Sequence, residues 1–271
     1  MSDSRLSDIA EDLAPLAFGR ANLSPWVIAS GEFQDYPRAL HIAGVQRENR
    51  ALFSLLDAMD GSDARAHLFD EYMVKKFCLD EWKIETGAGR RSLRNSYLRF
   101  LRGWGVDSNS IEGAVLKGWV ESRLGLTPLY HKGRINRREA SYLVFARDRM
   151  LGQARTNAVD AQLDLLFEFC QYELRRRRVG RVVLYRGTQD PEEEWPLARR
   201  GRSEGLVRLN NICSFTSNRE RAWEFGSRVI QVPVPAQRIF YFAGLLPTSI
   251  LRGEDEHLVL GGQHWATQVR M

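Results

Sequence analysis

The spacing of apolar positions changes character about two thirds of the way along the chain. Up to about position 178, apolar residues recur at three- and four-residue intervals, the period of an amphipathic helix. Positions 68–82 (LFDEYMVKKFCLDEW) place Leu68, Tyr72, Phe77 and Leu79 near one face. Positions 92–104 repeat the pattern with Leu93, Tyr97, Phe100 and Leu101 against an arginine-rich opposite face. Two longer amphipathic helices are predicted over 139–155 and 158–178. The second ends in Arg175, Arg176, Arg177 and Arg178, with Gly180 just beyond. Cations suit the negative end of a helix dipole, and glycine suits a helix stop.

Beyond Gly180 the apolar runs shorten and become β-branched or aromatic, bounded by Gly and Pro. They are 181–185 (RVVLY), 229–234 (VIQVPV), 238–242 (RIFYF) and 257–260 (HLVL). One helix, 219–225 (RERAWEF), interrupts them, and Ser217 with Glu220 has the spacing of a capping box. The expectation is an α+β fold in which a mostly helical N-terminal region, 1–165, packs on a strand-rich C-terminal core, 166–271. No repeat, low-complexity tract or flexible linker separates the two, so the division is topological.

Composition narrows the chemistry by exclusion. Three cysteines, Cys78, Cys170 and Cys213, lie far apart and form neither a disulfide framework nor a CxxC zinc pair. The five histidines lack ligand spacing, His257 and His264 being the nearest pair, so no metal is expected. A hydrophobic content of 44% with 27% charged residues is that of a soluble globular protein rather than a disordered or membrane chain. The formal charge of +5 admits an acidic partner without choosing one, and no nucleic-acid motif accompanies it. Asp8, Glu11 and Asp12 interrupt the N-terminus where a secretory leader would be apolar. The expected location is therefore cytoplasmic, without membrane insertion. The basic segments 131–138 and 175–178 read as a solvated loop and a helix terminus. Trp82, Trp104 and Trp119 sit within amphipathic stretches and read as core.

Three short features in the strand-rich part carry candidate chemistry: Arg186 in LYRGT, the hydroxyl cluster Ser214-Phe215-Thr216-Ser217, and Glu254-Asp255-Glu256. Each alone has a bland reading, as an ion pair, a helix cap and an acidic turn. In a fully extended segment residues two apart share a face, so Glu254 and Glu256 would face one cleft while Asp255 points away.

Their order, Arg then Ser-x-Thr then Glu-x-Glu at strand edges, resembles the R-S-E signature of arginine-specific ADP-ribosyltransferases. Positions 22–53 (NLSPWVIASGEFQDYPRALHIAGVQRENRALF) resemble the N-terminal stretch of the dinitrogenase reductase ADP-ribosyltransferases, and the likeness then covers most of the chain. The resemblance implies a split two-sheet NAD-binding core and transfer of ADP-ribose from NAD to an arginine of dinitrogenase reductase. It also implies control by a PII-type signalling protein. Carried onto this sequence, Glu256 stabilises the sugar cation, Glu254 orients and deprotonates the arginine, and Ser214 holds Glu256. Arg186 clamps the pyrophosphate, while Gly187 and Thr188 line the nicotinamide wall. Asn211 meets the adenosine end. The family's Ser-Thr-Ser is here Ser-Phe-Thr, which leaves a second alignment centred on Thr216-Ser217. Trp223 and Phe225 lie close to these motifs, with packing of their helix on the sheet as the expected role.

Overall fold

The long helix predicted over 158–178 turns out to be an interior helix of the molecule. In the computed structural model, which describes residues 19–79, 96–154, 156, 158–189, 196–247 and 255–270, ten α-helices and six strands lie among the described residues. The helices are α1 (Pro25–Ala29), α2 (Glu32–Asp35), α3 (Val45–Glu48), α4 (Arg50–Asp57), α5 (Ser62–Phe77), α6 (Tyr97–Val106), α7 (Ile111–Leu124), α8 (Ala140–Gln153), α9 (Val159–Arg176) and α10 (Arg219–Ala222). The strands are β1 (Arg181–Thr188), β2 (Ala198–Arg200), β3 (Glu204–Thr216), β4 (Arg228–Pro235), β5 (Ile239–Phe242) and β6 (Glu256–Val269). No described helix is long and apolar enough to cross a membrane.

The sequence pattern of α9 predicts one wet face, yet every residue from Gln162 to Leu174 is buried. Its polar side chains are consumed by neighbouring segments. Gln162 accepts from the Tyr97 backbone N–H at 2.8 Å, and Glu168 accepts from the Ile42 N–H and from the Gln46 amide at 2.6 Å. Glu173 takes a two-pronged ion pair from Arg65. Gln171 donates to the carbonyls of Ala236 and Ile239 at 3.1 and 2.8 Å, joining α9 to the end of the sheet. Buried polar groups persist only when paired, so a polar stripe can be a docking face rather than a solvated one. Position 165 lies inside α9, and one continuous apolar core reaches from Ile28 in α1 to Ala266 in β6.

Hydrogen bonding joins the strands in one six-stranded antiparallel sheet, ordered β2-β3-β1-β4-β6-β5 with β3 also paired to β6, in place of two separate sheets. The reason is the length of β3 and β6, which serve both halves. Their pairing runs from Glu204↔Thr267 to Thr216↔Glu256 with a register break between Leu209 and Ile212. At that break the β3 bulge residues Asn210 and Asn211 face Gly261, where a Cβ would sit 1.6 Å from the Asn210 carbonyl oxygen. Bulges bend the strand that carries them. One half of β6 therefore pairs with β5 and the other with β4.

Several elements differ in detail from the sequence pattern. The buried stripe of α5 is Arg65, Phe69, Met73 and Phe77, one position round from the expected face, because Phe69 stacks on Phe169 of α9 at 4.1 Å. The helix over 92–104 is described from Tyr97, and the 68–82 helix ends at Phe77; Trp82 and Leu93 lie outside the described residues. Asn218, not Ser217, caps α10, accepting from the Arg221 N–H at 3.0 Å. The 131–138 segment is only partly solvated: His131 is buried against Asp148 at 3.0 Å, and Arg137 pairs with Glu121 at 2.8 Å. Arg175 to Arg178 are exposed, as expected of a helix terminus.

Candidate active site

Strand register gathers three of the sequence motifs. Tyr185 on β1 pairs with Thr216 on β3, and Thr216 pairs with Glu256 at the start of β6. The residue after Tyr185 is Arg186, so the three strands present Arg186, Ser214, Thr216 and Glu256 around a cavity of about 380 Å³. Its walls also include Gly187, Thr188, Phe225 and residues Trp104 to Ser108 from the end of α6 and the turn beyond. Such a volume suits an extended organic ligand.

Within the cavity Ser214 is held from several sides. Its hydroxyl lies 2.5 Å from Glu256 Oε1 and donates to that carboxylate, while its carbonyl accepts from Arg186 Nη1 at 3.1 Å. Glu256 is buried, at 4% exposure, which fixes its rotamer. Thr216 lies in the same wall, and its Oγ1 accepts from the Asn218 N–H at 3.1 Å, steadying the turn into α10. In the first of the two alignments of the hydroxyl motif, the serine hydroxyl is hydrogen-bonded to Glu256, and in the second Thr216 is the strand partner of Glu256.

Gly187 has a reason that the sequence did not disclose. A Cβ there would lie 1.8 Å from the Ala222 carbonyl, so the missing side chain lets α10 sit against β1. That docking carries Phe225 to the cavity wall, where it is 51% exposed. Thr188 is buried in the same wall.

Asn211 is placed differently from the expectation. Its amide donates to the carbonyls of Lys117 and Leu126 at 2.8 and 3.0 Å, tying the β3 bulge to α7 and the loop after it. It borders a separate cavity of about 150 Å³ with Trp26 and Gln263. Glu254 lies outside the described residues. Asp255 has φ 48, in the left-handed region, so the chain is not extended through this position. The every-second-residue argument for Glu254 and Glu256 does not pass through it. Asp255 itself is exposed and Glu256 buried.

Two functional candidates were missed in sequence because the helical region supplies them. Trp104, from α6, reaches across and donates its indole N–H to Ser214 Oγ at 2.8 Å. Lys117, from α7, is 1% exposed and donates to Asn109 Oδ1 at 3.2 Å. It lines a second pocket that continues the first past Arg186 and Ser214 toward Arg208 and Asn210. Burial lowers the Lys117 ammonium to about 8, against the weaker upward pull of Cys213 and Asp107, and nearby Arg186 lowers it further. Among the described residues no salt bridge joins Lys117 to a carboxylate, and a buried cation in that setting favours an anion brought to it. Among the described residues no group of three or more His, Cys, Asp or Glu side chains could hold a metal ion.

Residues 18–268 match the family model described as dinitrogenase reductase ADP-ribosyltransferase. The chain is also 37% identical over 246 residues, 88% of this chain and 89% of the relative, to the NAD(+)--dinitrogen-reductase ADP-D-ribosyltransferase of Rhodospirillum rubrum. No solved structure matches it significantly.

Proposed function

The chain belongs to the dinitrogenase reductase ADP-ribosyltransferase family, and from that premise we propose that the cavity around Glu256 is where it cleaves NAD and directs ADP-ribose to an arginine. The protein is an NAD-dependent ADP-ribosyltransferase acting on dinitrogenase reductase, as its relative's name states for that enzyme. The observation that carries the assignment of the site is the hydrogen-bonded pair Ser214–Glu256 sharing one cavity with Arg186.

Nicotinamide leaves with the electron pair of its bond to the ribose, and positive charge spreads over C1′ and the ring oxygen, as in glycoside cleavage. A buried carboxylate beside that sugar stabilises the charge where it develops, and Glu256 takes this role. An arginine nitrogen of the target then bonds to C1′ and releases a proton. Glu254, assigned by resemblance, orients the guanidinium and accepts that proton. Arg186 offers a fork that matches phosphate oxygens, and Lys117 adds a second positive charge in the adjoining pocket that Arg186 also lines. Phe225 and Gly187 border the space assigned to the nicotinamide ring.

The bent sheet, with β5, the start of β6 and the end of β3 on one side of the bulge, is read as the split core of an ADP-ribosyltransferase. The division into a partner-recognising helical region and a catalytic core is then functional, since one apolar core runs through both. Cytoplasmic location and control by a PII-type protein belong to the same reading. Labelled NAD tests it. Glu256→Gln loses both arginine transfer and NAD hydrolysis by about 10²–10³-fold, whereas Glu254→Gln loses transfer and keeps slow hydrolysis. Normal transfer by Glu256→Gln would remove the assignment. Modification of some other protein, with dinitrogenase reductase untouched, would replace the target.

A further inference from the structure

We propose that Trp104, in the helical region, is a positioning residue of the catalytic site, acting on Glu256 through Ser214. This rests on the reading of Glu256 given above. The indole N–H is a donor only, so the 2.8 Å contact fixes one direction: Trp104 donates and Ser214 Oγ accepts. A serine hydroxyl has a single hydrogen. With Trp104 occupying a lone pair on one side, that hydrogen is aimed at Glu256 Oε1, 2.5 Å away. A hydroxyl that accepts one hydrogen bond becomes a stronger donor in the next. The Arg186 contact to the Ser214 carbonyl pins the backbone of the same residue. Ser214 is thereby held at both ends, and the rotamer of Glu256 is set before substrate arrives.

Packing accounts for a buried ring at this position, since Trp104 belongs to the apolar core, but not for its indole N–H. Phe100 and Leu101 already anchor α6 in the core, and Arg99 ties it to α7 through Glu112 at 2.9 Å. Trp104 projects beyond them to line both pockets that flank Ser214. The helical region therefore completes the catalytic wall.

The test is a double-mutant cycle on the full-length protein, read as single-turnover NAD cleavage and as steady-state transfer. Trp104→Phe keeps an aromatic ring and removes the donor. It is expected to lower kcat by about fivefold to tenfold with KM for NAD changed less than about twofold. In a Ser214→Ala background the same change is expected to have almost no further effect, because the hydroxyl it acts on is gone. If the two losses multiply, or if KM rises in step with the fall in kcat, Trp104 is a packing residue and the proposal fails. Should Trp104→Phe not fold, β-(3-benzothienyl)alanine at position 104 preserves the ring's shape and replaces N–H with sulfur, and the same comparison applies. Failure of the underlying reading looks different: Glu256→Gln would then retain activity in every background.

Discussion

Glu173 in the helical region and Glu256 in the sheet are both buried carboxylates, and they differ in what surrounds them. Glu173 meets the guanidinium of Arg65 through both oxygens and lies 3.5 Å from Arg177. Glu256 is held by a neutral hydroxyl at the wall of a cavity wide enough for a ligand. The same contrast separates Arg238 from Lys117. Arg238 is wholly buried, and burial lowers its guanidinium to about 9, yet it donates to the carbonyls of Ile28, Ser30 and Gln263 and welds α1 to β6. Lys117 has an amide oxygen and an aromatic face for company, and the cavity lies in front of it. A buried charge that is matched inside the protein holds the fold together. One that stands at a cavity wall is placed to meet a charge that arrives with the substrate.

The largest test of this contrast is Glu173→Gln. Removing one partner of a buried pair leaves Arg65 uncompensated and costs about 3–5 kcal/mol in urea unfolding, while the kcat of the molecules that remain folded stays unchanged. A large fall in kcat with intact stability would break the distinction.

Lys117→Met separates the two roles more finely, because stability and binding move in opposite directions. The Lys117 ammonium titrates near 8 in the folded protein and near 10.5 when unfolded. The unfolded chain therefore binds more protons between those values, and the wild type gains stability as pH rises through that window. The groups acting on it are Asp107, Cys213, Arg186 and His131. Replacing it by Met removes that slope and stabilises the fold at pH 7 by up to about 3 kcal/mol. At the same time KM for NAD rises by about tenfold, the worth of one charge-assisted contact. Thermal unfolding against pH, beside NAD titration, checks both signs.

The smallest effect belongs to the cap of α10. Asn218→Ala removes an N-cap and costs about 1 kcal/mol. Because α10 carries Phe225 to the cavity wall, the variant should also raise KM for NAD slightly, by about twofold to threefold on the same scale. An unchanged KM would show that α10 serves the fold alone.

Much of this was legible along the chain, because some of the physics is local. The 3.6-residue period and the basic last turn place α9 to within two residues at each end, and β-branched runs mark β1, β4, β5 and the start of β6. Arg186, Ser214 and Glu256 were singled out by the order of their motifs, which resembles that of the family, although only Arg186 stands beside a strand run that the local pattern marked on its N-terminal side. What tertiary structure alone decided is everything that depends on partners distant in sequence. β3 was missed because Asn210 and Asn211 look like a turn, and only a bulge bound to Lys117, Leu126, Leu129 and Tyr130 makes them strand residues. The polar stripe of α9 became a docking face for the same reason, and so did the reach of Trp104 across to Ser214. Periodicity records which way a side chain points. It carries no information about which buried donor, a hundred positions away, will be there to meet it.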